Sequence, residues 1–125
     1  MKYSLPPFLI GSTFSLSLIR RHVSITPHPL QRLKDELQKR IFVSFWGHQN
    51  TLQAACTILG ANIEPRSVRP AIQLDDNNFP ILDGQKFTEC WVLSPDYIAG
   101  FRPEIGEEVS SDKIIGWQVL QITWN

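Results

Sequence analysis

A continuous run of β-forming apolar residues lies between two helix-like segments, and this order constrains the fold more than any other feature. The run, IFVSFW at 41–46, is typical of a strand covered on both faces. The segment before it, PLQRLKDELQKR at 29–40, places Leu30, Leu33 and Leu37 at helical spacing with charges between them. The segment after it, NTLQAACTILG at 50–60, carries an apolar stripe and ends in a C-cap glycine. The helix-strand-helix order predicts an α/β fold.

The rest of the chain supplies further strands around this unit. A short helix is expected after the first strand, because Phe14 and Leu18 follow helical spacing. Polar segments at 75–86 and 94–113 are expected to form a turn and a loop. We therefore predict one α/β domain over 1–125, with a mixed sheet of about five strands and flanking helices. Apolar and alternating runs predict strands, besides 41–46, at 8–10, 23–25, 68–74, 87–93 and 117–124.

Composition limits the partners that such a chain can have. With 42% hydrophobic residues, 19% charged residues and a net charge of zero, it is neither disordered nor basic enough for a long nucleic acid. Any nucleic-acid ligand should therefore be small or held in a local pocket. Cys56 and Cys90 lie in apolar surroundings and are predicted to be buried free thiols, which suits a cytoplasmic protein. Pro6 and Pro7 interrupt the first apolar run, so neither a membrane span nor a targeting segment is expected.

Gly47 and His48 occupy the junction between the central strand and the following helix. Ligands gather where strands lead into helices in open α/β sheets, and helix N-termini attract phosphates. A histidine at this position can transfer protons near neutral pH, but a structural role, such as capping the helix, is also open. His22 and His28 flank a proline turn and are expected to be solvated. Because no pair of the three histidines has metal-ligand spacing, we expect no metal.

Three segments resemble one known family. They are GSTFSLSLI after the first strand, WGHQNTLQAACTILG at the strand-helix junction, and SPDYIAGFRPEIGEEVSSDKI near the end. Together they resemble the small family of viral and prokaryotic ring nucleases that degrade cyclic tetra-adenylate, the second messenger of type III CRISPR immunity. Viral members of that family act as anti-CRISPR proteins, and cellular relatives are thought to switch the response off. The resemblance touches most of the chain from Phe8 to Trp124.

The resemblance implies a ring nuclease that needs neither a metal nor another cofactor. A 2′-hydroxyl can itself attack the neighbouring phosphorus, so the protein must supply in-line geometry, a proton and positive charge. His48, which matches the family's Gly-His motif, is then the general acid, although the role of base stays open. Arg102 would stabilise the phosphorane through bidentate hydrogen bonds. The further residues that the motif positions imply for substrate binding are Ser15, Gly47, Asn50, Thr51, Arg69 and Glu104.

The sequence also departs from the family pattern. Ser17 stands where the family usually has an asparagine, and Ile105 stands where it has an acidic residue. Any carboxylate role must therefore shift to Glu104 or Glu107 or be dropped. Two other classes of function stay open: a non-catalytic protein that sequesters a cyclic oligonucleotide, and a structural or interaction protein of a mobile element in which His48 only caps a helix.

The symmetry of the implied ligand predicts the quaternary structure. A cyclic tetranucleotide has near two-fold symmetry, so a C2 homodimer could present two copies of His48 to opposite phosphates of one ligand. We therefore expect a homodimer with the pocket at its interface. A ligand with only four charges also fits a chain of zero net charge.

Overall fold

The described residues form two α-helices and two β-sheets. The computed structural model describes residues 5–46, 51–64, 72–102, 109 and 111–125. The helices are α1 (Leu30–Lys39) and α2 (Leu52–Leu59), with 3₁₀ turns at Leu16–Leu18 and Ser111–Lys113. The strands are β1 (Phe8–Gly11), β2 (Val23–His28), β3 (Phe42–Ser44), β4 (Gln73–Leu74), β5 (Pro80–Leu82), β6 (Gln85–Lys86), β7 (Glu89–Tyr97) and β8 (Ile114–Trp124).

Five of these strands form one mixed sheet in the order β2-β8-β7-β1-β3. Strand β1 runs parallel to both of its neighbours, β3 and β7, whereas β8 runs antiparallel to β7 and β2. The other three strands form a small antiparallel sheet in the order β4-β5-β6. The predicted α/β class, with a five-stranded mixed sheet and flanking helices, is confirmed. None of the helices in the described ranges is long and apolar enough to cross a bilayer.

Both faces of the main sheet are buried at β1. Phe8 and Ile10 point to the face that α1 and α2 cover, where they pack with Leu33, Trp46 and Trp91. Leu9 points to the opposite face, into a second core that includes residues of the small sheet. Every residue of β1 is buried as a result. The alternation of side chains along β1 therefore joins the two cores through one strand.

The two main helices follow their sequence signals closely. Helix α1 buries Leu33 and Leu37, two of the three leucines at helical spacing. Helix α2 buries Leu52, Ala55 and Leu59 and ends at Gly60, which has the left-handed conformation (φ 65°) expected of a C-cap glycine. Both cysteines are free thiols; Cys90 is buried and Cys56 is half-buried. Burial raises the pKa of the Cys90 thiol well above its usual value.

Several boundaries differ from the predictions. The expected first helix is only the 3₁₀ turn Leu16–Leu18, because Leu16 is 80% exposed and the segment offers no continuous apolar stripe to bury. The predicted strand 41–46 is shorter, and its side chains are half-buried rather than covered on both faces, because β3 is an edge strand. The predicted turn 75–86 contains the β5-β6 hairpin, whose two-residue loop has positive φ at Asp83 and Gly84.

A buried ion cluster joins α1 to β7 at the amino ends of the parallel strands. Arg40, which is 6% exposed, donates from both terminal nitrogens to the Glu89 carboxylate at 2.8 and 2.9 Å. It also donates to Glu36 at 3.3 Å, and Glu89 accepts a third bond from Trp91 Nε1 at 2.7 Å and a fourth from Gln121 Nε2 at 3.0 Å. A buried ion pair of this kind is strongly destabilising when one partner is removed.

The titration of Glu89 reflects this cluster. Burial alone raises the pKa of its carboxyl group, but the hydrogen bonds from Arg40, Trp91 and Gln121 and the attraction to Arg40 outweigh it. The pKa of folded Glu89 therefore lies below its ordinary value of 4.5. Because its pKa is lowered on folding, ionised Glu89 stabilises the fold fully at pH values above the pKa that this group has in the unfolded chain. This stabilisation is lost as the pH falls through the pKa of folded Glu89.

We predict that Arg40→Met lowers the free energy of unfolding by about 3–5 kcal/mol at neutral pH, because it leaves the Glu89 carboxylate buried without its cation. The loss of stability on acidification below the ordinary pKa of Glu89 should also be smaller in this variant. Urea titrations at several pH values measure both effects. Lys39→Met, at the exposed last position of α1, is the matched control and should change stability by less than about 0.5 kcal/mol. Equal effects of the two substitutions would contradict the prediction.

Candidate functional site

The carboxyl ends of three parallel strands define one edge of the sheet. Strands β1, β3 and β7 point the same way, so the segments that follow Gly11 and Ser44 leave the sheet from a common edge, and β7 continues past this edge to Tyr97. We call this edge the carboxyl edge. Ligands of open α/β sheets gather at such an edge, because the strand-to-helix connections converge there. Seven residues, 45–51, separate the end of β3 from the first residue of α2, so the N-terminus of α2 ends the connection that leaves β3.

Main-chain and hydroxyl contacts fix the first residues beyond this edge. The amide of Phe45 donates to the carbonyl of Ile10 at 3.0 Å, which continues the β1-β3 pairing past the end of β3. The Ser94 hydroxyl donates to the carbonyl of Ser12 at 2.9 Å and ties the exit of β1 to β7. The segments that leave β1 and β3 therefore start from defined positions.

An aromatic cluster then holds the connection after β1 against the sheet. The Phe45 ring lies over Gly11 so closely that a Cβ atom there would come within 2.5 Å of two ring carbons. Phe14 contacts this ring edge-to-face at 6.1 Å and the Trp124 ring at 5.4 Å. Gly11 is therefore required by the close approach of a ring. This packing leaves the residues after Phe14 at the surface.

Three of the predicted site residues lie in the described part of the chain, each after a different parallel strand. Ser15 is exposed, and its hydroxyl lies 2.8 Å from that of Ser17. Thr51 is 4% exposed, and its carbonyl accepts the Ala55 amide at 2.9 Å, the first turn of α2. Arg102 is exposed beyond the end of β7. The other predicted site residues lie outside the described residues: Gly47, His48, Asn50, Arg69 and Glu104.

The remaining histidines differ from each other. His22 is exposed, as expected. His28 is not solvated, and that prediction is wrong: it is half-buried, with Nε2 at 2.8 Å from Gln121 Oε1 and its ring 5.1 Å from that of Trp91. The β2-β8 pairing brings His28 close to this glutamine, and this pairing is not visible in the local sequence. Among the described residues, no group of three histidine, cysteine, aspartate or glutamate side chains is placed to hold a metal ion.

Sequence reasoning missed an aromatic pair at the far end of the β7-β8 ribbon. The Tyr97 and Phe101 rings meet edge-to-face at 5.4 Å, and Lys113 Nζ lies 5.8 Å from the centre of the Phe101 ring. Burial raises the pKa of the Tyr97 phenol above its usual value. The segment 94–113 was expected to be a loop, but β7 extends through Tyr97 and carries this pair away from the sheet centre. The alternating pattern of Trp91, Leu93 and Tyr97 was the available signal.

The described residues form an α/β fold with a five-stranded mixed sheet and two α-helices. A solved structure with the same fold is B116 of Sulfolobus turreted icosahedral virus, with a TM-score of 0.61 over 96% of this chain and 100% of the other. The two sequences are 12% identical, so the likeness shows a shared fold with a viral protein and carries no evidence on family or activity. No protein-family model matches the chain, and no curated protein matches it by sequence.

We predict that Gly11→Ala lowers the free energy of unfolding by about 1–3 kcal/mol, because the added methyl group must displace the Phe45 ring. Chemical denaturation measures the change. The matched control is Gly116→Ala in β8, where the added Cβ would meet its nearest neighbour, Asp96 Oδ2, at an ordinary 3.7 Å. If Gly116→Ala costs as much as Gly11→Ala, ring contact is not the cause.

Proposed function

We propose that this protein is a metal-independent ring nuclease that cleaves cyclic tetra-adenylate to linear di-adenylate with a 2′,3′-cyclic phosphate end, and that it thereby ends type III CRISPR signalling. The observation that carries the proposal is topological. Ser15, Thr51 and Arg102 follow the carboxyl ends of β1, β3 and β7, three strands that run parallel. Each of the three motifs of the family resemblance contributes one of these residues, which supports the proposal of a shared site on that side of the sheet.

The proposed chemistry uses side chains of this chain alone. The ribose 2′-oxygen attacks the adjacent phosphorus in line with the 5′-oxygen, and the bond from phosphorus to that 5′-oxygen breaks. His48, on the connection between β3 and α2, donates a proton to the departing 5′-oxygen. The 2′-hydroxyl proton passes to solvent water. Two such cleavages convert one ring into two linear dinucleotides.

The described residues supply complementary binding groups. The exposed guanidinium of Arg102 can donate two hydrogen bonds to non-bridging phosphate oxygens and stabilise the charge of the phosphorane. The paired hydroxyls of Ser15 and Ser17 offer donors close to the exit of β1, where the family has a serine and an asparagine. The start of α2 at Thr51 orients main-chain amides that favour a phosphate. Gly47, Asn50, Arg69 and Glu104 complete the proposed binding set.

The proposed setting follows from the ligand. Cyclic tetra-adenylate is a messenger inside prokaryotic cells, so the protein would act in the cytoplasm of the cell or of an infected host. The fold shared with a Sulfolobus virus protein is consistent with a viral origin, and the anti-CRISPR role follows only from the proposed activity. The zero net charge of the chain fits a ligand with four phosphates better than a long nucleic acid.

We predict that His48→Ala lowers the rate of ring cleavage by roughly 10²- to 10⁴-fold, because the departing oxygen loses its proton donor. Labelled cyclic tetra-adenylate is incubated with each protein in excess EDTA, and products are separated by chromatography. His22→Ala, at an exposed histidine away from the carboxyl edge, is the matched control and should cleave at the wild-type rate.

The same assay separates the three classes of function. Cleavage by the wild type and by His22→Ala, with loss in His48→Ala, supports the nuclease. Tight retention of the intact ring by all three proteins would identify a sequestering protein instead. If no protein binds or cleaves the ring, the nuclease proposal fails and an interaction protein of a mobile element is favoured.

We also predict that the protein is a homodimer in solution, because one two-fold ligand needs two copies of His48. Sedimentation at micromolar concentration should give about twice the chain mass of 14.3 kDa. A monomer that cleaves the ring at the full rate would contradict the shared pocket while leaving the chemistry of His48 in place.

A further inference from the structure

The β7-β8 ribbon projects beyond the carboxyl edge and ends in an aromatic and cationic cluster. Strand β1 last pairs with β7 at Val92, whereas β7 continues to Tyr97, paired with β8 as far as Ile114. These five further residues extend the ribbon by about 16 Å at roughly 3.3 Å per residue. The ribbon therefore stands above the edge from which Ser15 and the start of α2 also leave.

The chain geometry at the ribbon end is well defined. The Ile98 amide donates to the Lys113 carbonyl at 2.9 Å, and the Phe101 amide donates back to the Ile98 carbonyl at 3.1 Å. Gly100 has a φ of 81°, which only glycine adopts without strain and which turns the chain back on itself. This reversal brings the Phe101 ring against Tyr97. Lys113, on the returning segment, then faces the same ring.

The cluster is not part of the protein interior. Tyr97 and Phe101 are half-buried, and neither ring is among the residues that form the two cores. Alternation along β7 places Tyr97 on the face of Trp91 and Leu93, the face that α2 covers. The cluster thus combines aromatic rings with a cation outside the core and beside the proposed phosphate-binding edge. Proteins use aromatic rings and positive charge together to stack bases and hold the backbone of a single-stranded nucleic acid.

We propose that Tyr97, Phe101 and Lys113 form a base-stacking platform that binds an adenine of the nucleotide ligand. The inference rests on the proposed function, since it assigns a base-binding subsite to the same carboxyl edge. The Phe101 and Tyr97 rings, which meet edge-to-face, supply the aromatic surface, and Lys113, whose Nζ lies 5.8 Å from the centre of the Phe101 ring, supplies positive charge beside it. Stacking on an aromatic ring is tolerant of base identity, so the platform supplies affinity for the base and not selectivity for it.

The test compares substitutions that differ only in the π-face. Phe101→Leu keeps apolar bulk but removes the face, and Phe101→Tyr restores it. Phe79→Leu is the matched control, because Phe79 is also half-buried and contacts two cations, Arg21 at 4.1 Å and Lys86 at 4.0 Å, but it lies in the second core. Two probes are used: cyclic tetra-adenylate on a His48→Ala background, and linear tetra-adenylate carrying one 2-aminopurine, whose emission falls on stacking.

We expect Phe101→Leu to weaken binding of both probes by at least about tenfold and to abolish the emission change, while Phe101→Tyr and Phe79→Leu stay within about twofold of the parent protein. If Phe101→Leu and Phe79→Leu bind the probes with equal affinity, and the protein with His48 in place still cleaves the ring, the platform is overturned and the nuclease stands. Stacking of the linear probe that depends on Phe101, without any ring cleavage by the wild type, would uphold the platform and overturn the nuclease. If the parent protein binds neither probe, both the platform and the nuclease proposal are overturned.

Discussion

The structure depends on the burial of β1 between two parallel neighbours. All four of its residues are buried, with Phe8 and Ile10 in the helix-side core and Leu9 in the other. Because a parallel neighbour cannot be reached through a tight hairpin, each neighbouring strand is joined to β1 by a long crossover. The exits from β1 and β3 consequently lie at one edge, which β7 passes as it continues to Tyr97. This constraint places Ser15 and Thr51 after neighbouring parallel strands.

The two ends of the parallel strands carry different kinds of polar group. At the amino end, the Arg40-Glu89 pair is almost enclosed, and Glu36, Trp91 and Gln121 use much of its hydrogen-bonding capacity. These charges stabilise one another and leave little for a ligand. At the carboxyl edge, Ser15 and Arg102 are exposed. The buried ion pair and the exposed Ser15 therefore lie at opposite ends of the parallel strands.

Local patterns predicted α1 and α2 well but predicted the first helix and the strand ends poorly. Leucine spacing and Gly60 were sufficient for α1 and α2, because a helix is stabilised by contacts between residues three and four apart. The length of β7 depends on β8, at least 17 residues away in sequence (Tyr97 pairs with Ile114), so the alternation through Tyr97 was hidden in a polar segment. The Asp83-Gly84 turn was a readable hairpin signal that a long polar stretch obscured. His28 likewise owes its glutamine partner to the pairing of β2 with β8.

The sequence by itself determined the α/β class, the two amphipathic helices, the free cysteines and a set of polar residues next to strand ends, since each follows from spacing within a few positions. Tertiary structure alone decided which of those ends coincide, how far the β7-β8 ribbon reaches and that Arg40 is enclosed by two carboxylates. The physical reason is that strand pairing and charge burial join residues distant along the chain. The energy of such contacts depends on the final packing and leaves no periodic trace in the local sequence.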